Sequence, residues 1–199
     1  MNGELAMREI TCWFDFASNY SYLSVLRLAR QKNVIVHWKP FLLGPIFKEQ
    51  GWDNSPFVLQ KDKGDYVWKD MPRECAKYGL PWRQPSEFPR RSILAARVAL
   101  LGEHQPWIAE FCARVMLANF EHDEDIGSVE CIAAILTSIG LDAEAILAAA
   151  LSADNKARLH ARTDEARALH LFGAPTFFVG PDMYWGNDRL SDALAHATR

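Results

Sequence analysis

The stretch that decides the fold is Arg8-Glu9-Ile10-Thr11-Cys12-Trp13-Phe14-Asp15-Phe16-Ala17-Ser18-Asn19-Tyr20-Ser21-Tyr22-Leu23. Ile10, Cys12, Phe14 and Phe16 recur at every second position, the period of a strand, and Trp13 on the opposite face predicts burial on both sides. The small polar break Ala17-Ser18-Asn19 ends that pattern. Tyr22, Leu23, Val25, Leu26, Leu28 and Ala29 then follow helical spacing until Lys32-Asn33. The next run, Val34-Ile35-Val36-His37-Trp38, is β-branched and aromatic and is stopped by Pro40. Strand, helix and strand in this order predict a parallel βαβ unit with a right-handed crossover.

Working outward, helical periods dominate from Gly44 to about Asp154: Tyr66 to Tyr78, Ser92 to Leu101, Pro106 to Phe120, Val129 to Ile139 and Ala143 to Leu151. Gly79, Gly102 and Gly140 are expected in the left-handed position past helix ends, and Asp142 at a helix start. A further helix, Asp154 to Leu171, leads to Phe172-Gly173-Ala174-Pro175. Thr176-Phe177-Phe178-Val179 and Met183-Tyr184-Trp185, joined by Gly180-Pro181-Asp182, read as a β-hairpin, and Gly186-Asn187-Asp188 opens a last helix. The order β-α-β, helical block, α-β-β-α, with a proline just before the third strand, is the layout of an α/β thioredoxin-like fold with an all-helical insertion. The expected thioredoxin-like domain comprises residues 8–44 and 154–199, and the inserted helical domain residues 45–153.

At 199 residues, 49% hydrophobic and 24% charged, the chain is long enough to bury a core unaided and is not a disordered composition. Twenty-two Lys and Arg against twenty-five Asp and Glu, with no basic run, argue against a nucleic-acid partner. The N-terminal MNGELAMREITCW lacks the pattern of a secretory leader, and no stretch reaches the ~20 apolar residues of a membrane helix, so no membrane partner and a cytoplasmic location are expected. Cys12, Cys75, Cys112 and Cys131 form no C-x-x-C pair, so neither a metal site nor a redox disulfide is expected, and Cys12, Cys112 and Cys131 read as buried small hydrophobes.

The loop after the first strand enters a helix N-terminus, where unpaired N–H groups and the helix dipole stabilise an anion. A disulfide oxidoreductase would place C-x-x-C there; this chain places Ser18-Asn19-Tyr20-Ser21. No histidine or lysine neighbours Ser18 in sequence to act as a base, so a serine nucleophile is not indicated. Ser18 can instead donate its hydroxyl hydrogen to a thiolate brought by another molecule; the plainer reading is a helix N-cap. A cis Ala174-Pro175 bond would turn the backbone of Ala174 toward an extended peptide. Asn187 and Asp188 could hold a ligand's ammonium or carboxylate, or Asp188 could simply cap the last helix.

Asp15-Phe16-Ala17-Ser18-Asn19-Tyr20-Ser21-Tyr22-Leu23 resembles the D-F-x-S-P-x-S-Y-L opening of 2-hydroxychromene-2-carboxylate isomerases and of kappa-class glutathione transferases, whose domains are DsbA-like. Phe172-Gly173-Ala174-Pro175-Thr176 and Trp185-Gly186-Asn187-Asp188-Arg189-Leu190 resemble the F-G-x-P-T and W-G-N-D-R-L segments of the same family. Softer matches, such as Pro40 to Gly44 and Phe88-Pro89-Arg90-Arg91, extend the likeness from about residue 10 to 194. One departure is Asn19, where proline is usual.

The resemblance implies glutathione as cofactor, with its sulfur at Ser18, its peptide backbone along Ala174 and Pro175, and its γ-glutamyl end near Asn187 and Asp188. It implies a small aromatic carboxylate as substrate, with Lys48 and Asn54 on the substrate side, and it favours a homodimer. Arg90 and Arg91 are further candidate cations for the carboxylate, and Phe41, Trp52, Phe57 and Trp82 candidate walls of an aromatic pocket. The implied activity is glutathione-dependent cis-trans isomerisation of 2-hydroxychromene-2-carboxylate to trans-o-hydroxybenzylidenepyruvate, or of a related intermediate of aromatic hydrocarbon catabolism. The alternatives are a kappa-like glutathione transferase or peroxidase and a non-catalytic thioredoxin-like binding module.

Overall fold

A computed structural model describes residues 8–197. The first seven positions, read above for a leader, and residues 198–199 of the expected thioredoxin-like domain lie outside the described residues.

Strand β1 (Arg8–Phe14), helix α1 (Asn19–Ala29) and strand β2 (Val34–Pro40) form the opening βαβ unit, with β1 and β2 parallel in the register Ile10 opposite Val36. The chain returns to the sheet as β3 (Thr176–Val179) and β4 (Asp182–Trp185). The strand order is β2-β1-β3-β4, and β3 runs antiparallel to both neighbours, with Cys12 opposite Phe177. This places the first strand at the centre, and its side chains are buried on both faces as the alternation around Trp13 implied. Ile10, Cys12 and Phe14 enter the main core, whereas Trp13 packs edge-on against Phe41 at 5.9 Å in a smaller cluster with Ile46, Ala166 and Leu171.

Between the two halves lie α2 (Leu43–Glu49), α3 (Pro56–Leu59), α4 (Lys61–Tyr78), α5 (Ile93–Leu101), α6 (Ile108–Phe120), α7 (Val129–Ser138) and α8 (Ala143–Leu151), followed by α9 (Ala153–Ala168). The short helices α2 and α3 were not expected, being too brief to show a period. A single core runs from β1 and α1 through Val98, Val115 and Ile132 to Leu147, without a break where the helical insertion begins and ends.

Gly79 and Gly140 take the left-handed backbone past α4 and α7, at φ 61° and 77°. Gly102 does not: its φ is −84°, and it is glycine because a Cβ there would meet the ring of Trp107. The last helix also differs from expectation. A single 3₁₀ turn, Asn187–Arg189, precedes α10 (Leu190–His196), and Asp188 caps neither, since the residue at the start of the turn is Gly186 at φ 104°.

Two buried polar clusters fix the loops around the end of β1. Asp15, 4% exposed, accepts from the Ala17 N–H at 2.9 Å, the Leu43 N–H at 2.8 Å and the Ser92 hydroxyl at 2.6 Å. One carboxylate thus joins the loop before α1, the start of α2 and the start of α5. Arg90, 6% exposed, pairs with Asp123 and donates to Asn119, whose Nδ2 donates in turn to the Phe16 carbonyl at 3.0 Å.

Both clusters make testable demands. An amide at position 15 cannot accept all three hydrogen bonds, so Asp15→Asn is expected to lose about 1–3 kcal/mol in urea unfolding, more than Ser92→Ala, which removes one donor. The Asp123 carboxyl is held down to about 2 by the Ser86 backbone N–H and by Arg90. An acid so depressed stabilises the fold above its unfolded value of about 4, and that contribution is lost as pH falls through the folded value. Melting followed from pH 5 to 2 should therefore fall more steeply for the wild type than for Asp123→Asn, which is already destabilised at pH 7.

Candidate active site

Ser18 sits where β1 ends and α1 begins, with the extended φ/ψ of −86° and 118° that an N-cap requires. Its Oγ accepts from the Ser21 N–H at 3.1 Å and donates to the Ala174 carbonyl at 3.2 Å. The N-cap reading is therefore correct as far as it goes, and the same hydroxyl also reaches the loop that enters β3. The Ala174–Pro175 peptide bond is cis. The Ala174 carbonyl is already engaged by Ser18, while its N–H has no partner among the described residues.

The N–H groups of Asn19 and Tyr20, the first two of α1, also lack partners among the described residues. The N–H of Ala17 is held by Asp15. Two free N–H donors, the positive end of an eleven-residue helix and a hydroxyl form a socket suited to a single negative charge. Asp15 beneath it does not compete simply as an anion: burial pushes its carboxyl upward, against the lowering effect of the Leu43, Ser92 and Ala17 donors.

The socket opens into a cavity of about 860 Å³. Ser18 and Ala174 lie on one side, α2 and the loop after it on another, and Phe88 to Ile93 on a third. Lys48, Asn54 and Arg91 are all on its wall and exposed, and neither cation forms an ion pair among the described residues. Arg90 reaches the wall too, but its guanidinium is spent on Asn119, Ser86 and Asp123, which leaves it a tie rather than a free cation. Lys63, which the sequence did not single out, lines the cavity with its ammonium 6.0 Å from the Phe57 ring.

Of the expected aromatic walls, Trp52 and Phe57 line the cavity. Phe41 is core against Trp13, and Trp82 stacks on Phe120 at 5.7 Å, away from the cavity wall. Phe47, Phe88, Phe172 and Trp185 take their places. Phe172 and Trp185 meet edge-on at 4.9 Å, and Gly173 between Phe172 and Ala174 has no room for a Cβ, which would lie 2.5 Å from the Trp185 indole nitrogen. Their adjacency in sequence to Ala174 and Asn187 was the signal available for finding them.

The remaining candidates lie off the cavity wall. Pro175 is buried behind Ala174. Asn187, 4% exposed, accepts on Oδ1 from Ser24 at 3.0 Å and from Arg27 at 2.8 Å, so its amide fastens the last turn to α1. Asp188 is exposed beside Arg189. The thiols take no part: Cys12, Cys75 and Cys112 are buried, Cys131 half-buried, none lines the cavity, and burial pushes Cys75 up to about 12 and Cys131 to about 11. Among the described residues, no helix is long and apolar enough to cross a membrane.

Comparison with known proteins places the chain in a family. The chain is 26% identical to 2-hydroxychromene-2-carboxylate isomerase of Sphingobium xenophagum, over 92% of its own length and 94% of that protein. It is 26% identical to glutathione S-transferase kappa 1 of Rattus norvegicus, over 93% of its length and 88% of the relative. A solved structure of 2-hydroxychromene-2-carboxylate isomerase superposes with a TM-score of 0.85 at 25% identity, covering 94% of this chain and 93% of that one. The family described as the DSBA-like thioredoxin domain matches residues 9–197, and the chain belongs to it.

Proposed function

We propose that the protein is a glutathione-dependent isomerase acting on 2-hydroxychromene-2-carboxylate or a closely related ring-opened aromatic keto acid. The observation that carries the reading is the position of Ser18. Its hydroxyl stands at the N-terminus of α1, faces the proline-bearing loop and opens onto an aromatic cavity to which no cysteine contributes. Relatives named as isomerases and as a kappa glutathione transferase support the choice of thiol.

In this reading glutathione lies between Ser18 and Ala174 with its sulfur ionised. The hydroxyl of Ser18 turns from the Ala174 carbonyl to the sulfur, and the Asn19 and Tyr20 N–H groups face the same charge. The cyclic hemiketal first opens: its ring C–O bond breaks and the hemiketal hydroxyl proton passes to the phenol oxygen, leaving the cis conjugated ketone. The thiolate adds to the benzylic carbon of that ketone, and the π electrons move to the carbonyl oxygen as an enolate. The former double bond is now single and rotates. Collapse of the enolate expels the thiolate and restores the double bond in the trans geometry, so no proton is consumed and glutathione is regenerated. Lys48, Lys63 and Arg91 supply cations for the substrate carboxylate, Asn54 a polar contact, and Trp52, Phe57 and Phe88 a surface for the ring. Asp188, exposed beside Arg189 three residues after Trp185, is the group assigned to the γ-glutamyl end of the tripeptide. A cytoplasmic setting belongs to the same reading, because glutathione keeps that compartment's thiols reduced.

A transferase would use the same socket but consume the thiol, and equal identity to the rat transferase makes it the second reading. Thiol accounting separates them. With glutathione at one-hundredth of the substrate concentration, isomerisation is expected to run to equilibrium with free thiol unchanged; a reaction that stops when the thiol is exhausted would identify a transferase.

The magnitudes for Ser18 are also definite. A hydrogen bond to a charged group contributes about 1.5–3 kcal/mol, against about 1 kcal/mol for the neutral bond to Ala174 that it replaces. The difference corresponds to roughly one unit of thiol pKa. Ser18→Ala should stay folded, lose about 1 kcal/mol of helix capping, and isomerise roughly tenfold more slowly at pH 7, with the rate recovering as pH rises. A pH-rate profile that keeps the wild-type shape would exclude a role for the hydroxyl in ionising the sulfur.

A further inference from the structure

Asn19 fills the first position of α1, where proline is well tolerated because the N–H has no acceptor within the helix. Its N–H has no partner among the described residues and is one of the socket's two free donors; any residue but proline would supply it, so the backbone gives no reason for asparagine in particular. The side chain gives a reason against it. Asn19 is 0% exposed, and neither its Nδ2 nor its Oδ1 finds a hydrogen bond within the protein. An unpaired buried polar group costs about 1–3 kcal/mol, and native folds keep few of them. The neighbouring polar side chains Asp15, Ser18, Ser92 and Asn119 are paired; the Ser21 Oγ, also buried, is not, but Ser21 is no part of the cavity wall. Asn19 is also part of the cavity wall beside Ser18. A local rule broken at a ligand cavity, with no return inside the protein, is expected where a ligand completes the pairing.

We propose that Asn19 determines specificity by recognising the phenolic ring hydroxyl of the ring-opened substrate as it meets the sulfur at Ser18. This rests on the isomerase reading above. A neutral carboxamide offers an NH2 group that donates and a carbonyl oxygen that accepts, side by side. A carboxylate or ketone oxygen would serve only the donor, and the unpaired cations Lys48, Lys63 and Arg91 already stand at the cavity for the carboxylate. A hydroxyl both accepts from Nδ2 and donates to Oδ1, and the ring hydroxyl is the one group of trans-o-hydroxybenzylidenepyruvate that does both.

The test compares that compound with trans-benzylidenepyruvate, which lacks the ring hydroxyl, using wild type, Asn19→Leu and Asn19→Val, both of which keep the backbone N–H, with glutathione present. Binding is read from the fluorescence of the cavity tryptophans Trp52 and Trp185, turnover from absorbance, and stability from melting. Wild type is expected to bind the hydroxylated compound about 5- to 150-fold more tightly, the factor equivalent to one buried polar group left unpaired. Both variants should melt higher and bind the two compounds alike, by losing affinity for the hydroxylated one alone. Higher melting with the preference intact would make Asn19 a mere buried defect and overturn the proposal, as would a wild type that binds neither compound or does not distinguish them. A wild type that discriminates in binding yet isomerises neither compound would sink the proposed reaction and leave the role of Asn19 standing.

Discussion

One hydroxyl joins the two ends of this chain. Ser18 Oγ accepts from the first turn of α1 and donates to a carbonyl 156 residues later, at the loop that leads into β3. For that contact to exist, β1 must be central, with β2 on one side and the returning β3 on the other, and the loop between β1 and α1 must be held still. Asp15 holds it from below with three hydrogen bonds, and Asn119 from the side through the Phe16 carbonyl. The helical insertion is therefore part of the site's support: Ser92, Arg90 and Asn119, all from it, keep the loop's buried polar groups satisfied.

Most of the fold was legible because its periods are strong. Alternation from Ile10 to Phe16 and the helical spacing after Ser18 survive burial on both sides, since each element is long enough to repeat its pattern. Helices α2 and α3 escaped because one or two turns cannot show a period, and the turn at Asn187 was misjudged because a capping residue and a buried tie use the same side chains. At the site, Ser18, Ala174 and Lys48 were readable from local chemistry or resemblance. The fates of Arg90 and Asn187 were not, because their partners, Asp123 and Arg27, are distant in sequence and only folding reveals that their donors and acceptors are already spent.

The absence of a cysteine from the socket follows a simple electrostatic logic. A helix end lowers the free energy of a nearby anion by about 0.3–1 kcal/mol, up to about 2 where it is shielded from water. Exchanging the neutral bond from Ser18 to Ala174 for a charged one adds about 0.5–2 kcal/mol. Together these suffice to ionise a thiol near neutral pH, yet the protein's own thiols lie in apolar surroundings that do the opposite. In the proposed reading the polarised socket receives sulfur that arrives on another molecule, and the unpaired cations and aromatic rings of the cavity receive an aromatic acid.

Whether the socket ionises a visiting thiol is read most directly from the ultraviolet absorbance of glutathione thiolate, titrated against pH with saturating protein. The account predicts that bound glutathione ionises at least one unit below the roughly 8.5 of an ordinary cysteine thiol. A bound thiol that titrates like the free one would contradict it.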